Sequence, residues 1–165
     1  MKIKILLVIV FLMSTLSAFA QDTLREGNLI YVIDINGVTQ SLESTRIKEE
    51  SYVEAHLTFS SETDLRKMYQ KIFSKERAAE LSDYVLICLV QFNAISQRIS
   101  HVVFSPLDNK MRLTLTELKR LEIGLKSLKY NYWIVNNTKV DQFSLFTVPI
   151  KFRRIYDDQY WKQRE

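Results

Sequence analysis

Glycine is nearly missing from this chain. Of 165 residues, only Gly27, Gly37 and Gly124 are glycine. A phosphate-cradling loop needs several glycines so that backbone N–H groups can approach the ligand. No pair here has that spacing, which excludes the P-loop and dinucleotide-binding classes. Histidine is as scarce. His56 and His101 are the only two, they fall in different predicted strands, and H-E-x-x-H is absent. The motifs therefore offer no ligand set for a metal, and no cofactor is expected. His56 reads as a surface residue. His101 shares a strand face with Ile99 and Val103 and is expected to be partly buried. Serines are plentiful, but no G-x-S-x-G elbow presents one as a nucleophile. Glu49-Glu50 and Asp157-Asp158 are adjacent carboxylates, whose side chains diverge in a strand, and both pairs read as solvated surface. No catalytic residue is assigned.

Cysteine is limited to Cys88, so an intramolecular disulfide is excluded. It lies in Tyr84-Val-Leu-Ile-Cys-Leu-Val-Gln-Phe92, the most apolar stretch outside the first twenty residues. Free cysteine in such surroundings behaves as a small buried hydrophobe. A reactive thiol is the alternative. Charge of one sign is also lacking in excess. The chain carries 23 basic and 19 acidic residues, and two of the basic ones, Lys2 and Lys4, lie at the start. The remainder is interspersed with no basic stripe, so nucleic acid has no electrostatic footprint to bind.

Long apolar runs are missing too. Ile5 to Met13 is unbroken but falls short of the roughly 20 residues that a membrane span needs. It follows Lys2 and Lys4 and leads through Ser14 and Ser17 to Ala18-Phe19-Ala20, an A-x-A cleavage site. Residues 1–20 are expected to be a cleavable signal peptide of bacterial type. The mature chain would begin at Gln21, lie in the periplasm or be secreted, and have no membrane span. No cysteine follows the site to carry a lipid.

Residues 21–165 are long enough for one domain with a real core. Asn28 to Ile35 predicts a strand, Asn36-Gly37 a two-residue hairpin turn, and Val38 to Leu42 the return strand. Tyr52 to Phe59 alternates, with Val53, Ala55, Leu57 and Phe59 on one face. Ser61 to Asp64 resembles a helix N-terminal cap. Leu65, Met68, Tyr69, Ile72 and Phe73 then keep helical spacing, predicting a helix over about 62–81 with a break near Ser74. Tyr84 to Phe92 is apolar on both faces, as in a central strand covered on both sides. Arg98 to Phe104 is its hairpin partner. Thr114 and Glu117 form a capping box ahead of a stripe of Leu118, Leu121, Leu125 and Leu128. Gly124 within this helix implies close packing, since glycine there costs up to about 1 kcal/mol relative to alanine. Tyr130 to Val135 is another strand, Asn136-Asn137 a hairpin turn, and Val140 to Phe152 a long strand. In that last strand Phe146, Val148, Ile150 and Phe152 face one way. Pro149 lacks an N–H and places the strand at a sheet edge. Residues 153–165 form a mixed-charge tail. The fold class is α+β: a mainly antiparallel sheet packed with two helices, its second half in β-β-α-β-β order, with two similar-sized halves on one sheet.

Two short sequons also occur. Asn136-Asn137-Thr138 fits an N-glycosylation acceptor, though a plain turn is the simpler reading. Asp22-Thr23-Leu24 resembles an O-glycosylation sequon of Bacteroidetes.

The second half resembles the C-terminal domain of TonB-type energy transducers, especially the short forms common in Bacteroidetes. Leu89-Val90-Gln91-Phe92 is similar to that family's first strand, and Arg98 to Phe104 to its second. The helix at 115–128 falls where the family has its long helix. Tyr132-Trp133, Asn136-Asn137, Val140 and the ending Phe146-Thr147-Val148-Pro149-Ile150-Lys151-Phe152 are similar to its close. The resemblance covers about residues 84–152. Departures are clear: Asn93-Ala94-Ile95-Ser96 replaces the family's hairpin turn, and the proline after its tryptophan is missing. The proline-rich spacer and uncleaved anchor of a transducer are also missing. The fold is thus expected to carry over, and energy transduction is not.

The expected function is a non-enzymatic exported domain that binds a protein or peptide of the cell envelope by strand addition. By analogy with the family's last strand, Phe143, Leu145, Phe146, Thr147 and Val148 are the partner-binding residues, with Gln142 and Ser144 as polar neighbours. A tail that folds back through Tyr156, Tyr160 and Trp161 to cover this edge is the competing arrangement. An enzyme or small-ligand binder with a site assembled from scattered polar residues is the alternative function.

Overall fold

Alternation of apolar and polar residues builds most of this molecule. The computed structural model describes residues 22–26, 28–34, 38–41, 55–134 and 143–164. The strands among them are β1 (Asp22–Glu26), β2 (Leu29–Ile33), β3 (Thr39–Ser41), β4 (Ala55–Phe59), β5 (Val85–Asn93), β6 (Arg98–Pro106), β7 (Tyr130–Ile134) and β8 (Phe143–Lys151). The helices are α1 (Glu62–Ile72), α2 (Lys75–Glu80), α3 (Leu115–Ser127) and α4 (Asp158–Lys162), with a 3₁₀ turn at Phe152–Arg154. Six strands form one sheet in the order β1-β2-β3-β6-β5-β8, and β4 with β7 forms a second. Every pairing is antiparallel. The fold is α+β, and its second half runs β5-β6-α3-β7-β8, the predicted order.

β5 organises the large sheet, with β6 along one side and β8 along its whole length on the other. Leu86, Cys88 and Val90 share one face with Ile150, Val148 and Phe146 opposite them in register. That face is fully buried at all three β5 positions. It packs into a core with Leu118, Leu121 and Leu125 of α3 and Leu65 and Tyr69 of α1. Ile87 and Leu89, on the other face, are only half-buried. The cover expected on both sides is thus fuller on the Cys88 side, where the helical core cluster gathers. A bulge between Gln91 and Phe92 shifts the register near the β5–β6 turn. Within that turn, Asn93 Oδ1 accepts the backbone N–H groups of Ile95 and Ser96 at 3.0 and 2.8 Å.

The helices start where short-range chemistry starts them. Ser61 caps α1 by accepting from the Asp64 amide. Ser74 caps α2 in the same way from Arg77, and the predicted helix breaks there as expected. Thr114 and Glu117 complete the capping box of α3. Gly124 does mark a close approach: a Cβ there would sit 2.7 Å from Met68 Sδ of α1.

Long-range placement differs from expectation in four respects. β1 was not anticipated, since Asp22–Glu26 is polar and charged, yet it pairs with β2 from end to end. The Asp22-Thr23-Leu24 sequon lies in it. β7 pairs with β4 rather than with β8, joining Ala55 to Ile134 and Phe59 to Tyr130. The predicted hairpin between the last two strands is therefore replaced by strands in different sheets, while β1–β3 of the first half and β5, β6 and β8 of the second do share the six-stranded sheet through the β3–β6 pairing. Thirdly, Asp157-Asp158 is not plain solvated surface. Asp157 caps α4 by accepting the Tyr160 amide, and Asp158 is ion-paired with Arg66. Lastly, His101 is 1 % exposed and so fully rather than partly buried. The predicted signal segment at 1–20, Asn36-Gly37, Glu49-Glu50, Asn136-Asn137-Thr138 and Gln142 lie outside the described residues.

Candidate functional site

β8 ends the large sheet, with β5 as its one neighbour among the described residues. This agrees with the edge position predicted from Pro149, which stands opposite Ile87. A cavity of about 470 Å³ lies along that edge. Its wall includes every residue from Phe146 to Lys151, and also Leu57, Thr58 and Phe59 of β4. Successive side chains of a strand point to opposite faces. A cavity touching consecutive residues therefore runs along the strand's edge rather than over one face. Two strand edges, of β8 and β4, border the same groove.

One end of the groove is aromatic. The Phe59 and Tyr130 rings lie 5.3 Å apart, and Phe146 packs edge-on to Phe92 and Tyr132. Burial holds Tyr130 and Tyr69 protonated well above the ordinary tyrosine range. The Tyr130 hydroxyl donates to the Leu125 carbonyl at 2.5 Å.

The tail builds the other end. Trp161 is buried, and its indole N–H donates to the Arg154 carbonyl at 2.7 Å. The Tyr156 hydroxyl donates to the Phe73 carbonyl at 2.9 Å. Arg164 pairs with Glu62 of α1 at 2.7 Å, and that hydrogen bond raises the pKa of its guanidinium. Arg154 pairs with Asp157 at 2.7 Å. Arg154 and Arg164 also lie over the Tyr160 ring, at 5.0 and 5.5 Å from its centre. The tail does fold back, as the competing arrangement held, and its residues wall one end of the groove. Lys151 is exposed at this end. Glu62 Oε2 is buried with no hydrogen-bond partner among the described residues.

Of the predicted partner-binding residues, Phe146, Thr147 and Val148 line the groove. Thr147 is exposed, Phe146 half-buried, and Val148 turns toward the core. Phe143 and Leu145 belong to the first half of β8, opposite Asn93 and Gln91, and Ser144 stands opposite Phe92. Sequence reasoning missed Leu57 to Phe59, Glu62, Lys151, Arg154 and Arg164. The alternation over 52–59 marked a strand there but carried no sign of which edge it would face. The groove's wall offers backbone donors and acceptors, aromatic surface and fixed cations, the equipment of recognition. Among the described residues, no three of His, Cys, Asp and Glu gather to hold a metal. No described helix is long and apolar enough to cross a membrane.

In comparisons with solved structures, the chain is similar to a DUF5043 family protein from Bacteroides uniformis ATCC 8492. The TM-score is 0.57 at 12% identity, covering 81% of this chain and 92% of the other. At that identity the likeness speaks to the fold alone. No protein-family profile matches the chain, and no curated protein does.

Proposed function

We propose that this chain is an exported, non-enzymatic domain that binds a protein or peptide of the cell envelope by strand addition at β8. The observation that carries this is the outer edge of β8, which borders an open groove over residues 146–151. An unpaired edge offers a row of backbone N–H and C=O groups to an incoming strand. The resemblance of residues 84–152 to the TonB C-terminal domain adds support, because its span covers β5 to β8 and that family receives an extended peptide on its last strand. The layout of residues 1–20 supports export into the periplasm or medium.

Hydrogen exchange on the purified protein, with and without envelope extract, tests the reading. Extract is expected to slow exchange along 143–148. Slow exchange there without extract would mean that the edge is already paired, and the reading would fall.

A second reading uses the same groove for a small molecule, as an enzyme or a ligand-binding protein. Its volume of about 470 Å³ lies within the usual range of ligand pockets, about 300–1,000 Å³. The unpartnered Glu62 Oε2 in its wall favours this version. Thermal-shift screening against a metabolite library separates the two, since strand addition predicts no stabilisation by small molecules.

A further inference from the structure

We propose, building on the strand-addition reading above, that the groove clamps one extended segment between β8 and β4, and that this segment carries an acidic side chain beside Lys151. The partner is thus an acidic, extended stretch of another protein, hydrogen-bonded on both sides.

Two observations place the second wall. Leu57, Thr58 and Phe59 are consecutive in β4 and line the cavity together with the run 146–151 of β8. β4 pairs only with β7, and β8 only with β5, among the described residues. Each strand therefore has one side without a sheet partner among the described residues, and on β8 the donors of that run exclude Pro149, which has no N–H. A strand inserted between two others needs a gap of about 10 Å, twice the inter-strand spacing. Such an insertion would join the six-stranded and two-stranded sheets through the guest. Pairing on both sides uses both hydrogen-bonding rows of the incoming backbone, where a single edge uses one.

Charge selects the guest. Lys151, Arg154 and Arg164 line the groove against a single carboxylate, Glu62. Glu62 is held by Arg164, and Arg154 by Asp157. Lys151 is exposed and has no ion-pair partner among the described residues. An acidic side chain at this end meets an uncompensated cation, and a basic one is repelled. At the opposite end, Phe59, Tyr130 and Phe146 favour apolar side chains.

The test pans the purified protein against a phage-displayed library of random dodecapeptides and then records hydrogen exchange with the enriched peptides. Enrichment of Asp or Glu next to apolar residues is expected, with slowed exchange at both 146–151 and 57–59. Lys151→Glu, at an exposed position that leaves the fold intact, should weaken these peptides several-fold, and added salt should weaken them too. Slowing at 146–151 alone would overturn the clamp and leave addition to β8 standing. Peptides without acidic residues, or indifferent to Lys151→Glu, would overturn the charge selection. No enriched peptide, or unchanged exchange along both edges, would overturn both the clamp and the function on which it rests.

Discussion

Cys88 and His101 show how far burial alone sets chemistry in this protein. Cys88 is completely enclosed, and burial pushes its thiol far above the range in which thiolate forms. It should react with a thiol reagent only after unfolding, and Cys88→Ser should cost about 1–3 kcal/mol by burying a hydroxyl without an assured partner. Denaturant melts and timed labelling check both. Neither ring nitrogen of His101 has a hydrogen-bond partner among the described residues. Burial lowers its pKa and Lys126 lowers it further, while Glu122 opposes them more weakly. A histidine whose folded pKa is depressed stabilises the fold fully above its unfolded value, about 6.5, and loses that contribution as pH falls below it. Stability should therefore begin to fall below about pH 6.5, before the carboxylates titrate. Glu117 and Glu122 follow at lower pH: burial raises both, but Arg77 and Thr114 for Glu117, and Lys126, Lys119 and Tyr31 for Glu122, outweigh it and depress them. His101→Leu should remove the first limb of a stability–pH curve and leave the acid limb in place.

At the level of elements, α3 carries the sharpest packing. Leu118, Leu121 and Leu125 are fully buried, and Leu121→Ala should destabilise by about 2–5 kcal/mol in urea melts. Gly124 is a different case. Alanine there would gain up to about 1 kcal/mol of helix propensity, but its Cβ would collide with Met68 at 2.7–2.8 Å. Overpacking a core typically costs about 1–3 kcal/mol, so Gly124→Ala should destabilise the protein. In a Met68→Ala background the same change should stabilise it, and a double-mutant cycle reads the reversal directly. These features were legible in the sequence because they are local. Thr114 and Glu117 are three residues apart, Ser74 announces its own helix start, and the leucine stripe repeats within one element. The partners of β4 and β1 were not legible. β4 finds β7 across the whole of α1, α2, β5, β6 and α3, and nothing in Ala55–Phe59 names that partner. Glu122 was missed for the same reason. It is buried beneath Lys126 at 2.6 Å and receives the hydroxyl of Tyr31 from β2 at 3.2 Å. A charged residue on a helix reads as surface until its distant neighbours are known.

For the molecule as a whole, the tail decides the shape of the groove. The tail is held on α1 by Arg164–Glu62 and Arg66–Asp158, and buried Trp161 ties α4 to the carbonyls of Arg154 and Ile155. Trp161→Ala should free α4 and speed amide exchange over 158–162 while β5 and β6 keep theirs, and exchange mass spectrometry distinguishes the two regions. The proposed recognition of acidic peptides should then weaken, because Arg154 and Arg164 lose their contacts with the Tyr160 ring. The position of β5 between β6 and β8 has a consequence for biosynthesis. β6 follows β5 after a short turn, so that hairpin can close as soon as both strands leave the ribosome. β8 comes only after α3 and β7. Until it arrives, β5 exposes an edge of nine residues, VLICLVQFN, without a charge or a proline. That composition pairs readily with any other strand, including another copy of itself. A nascent chain is most prone to aggregate in this interval, and the docking of β8 ends it by giving β5 a partner on its second side.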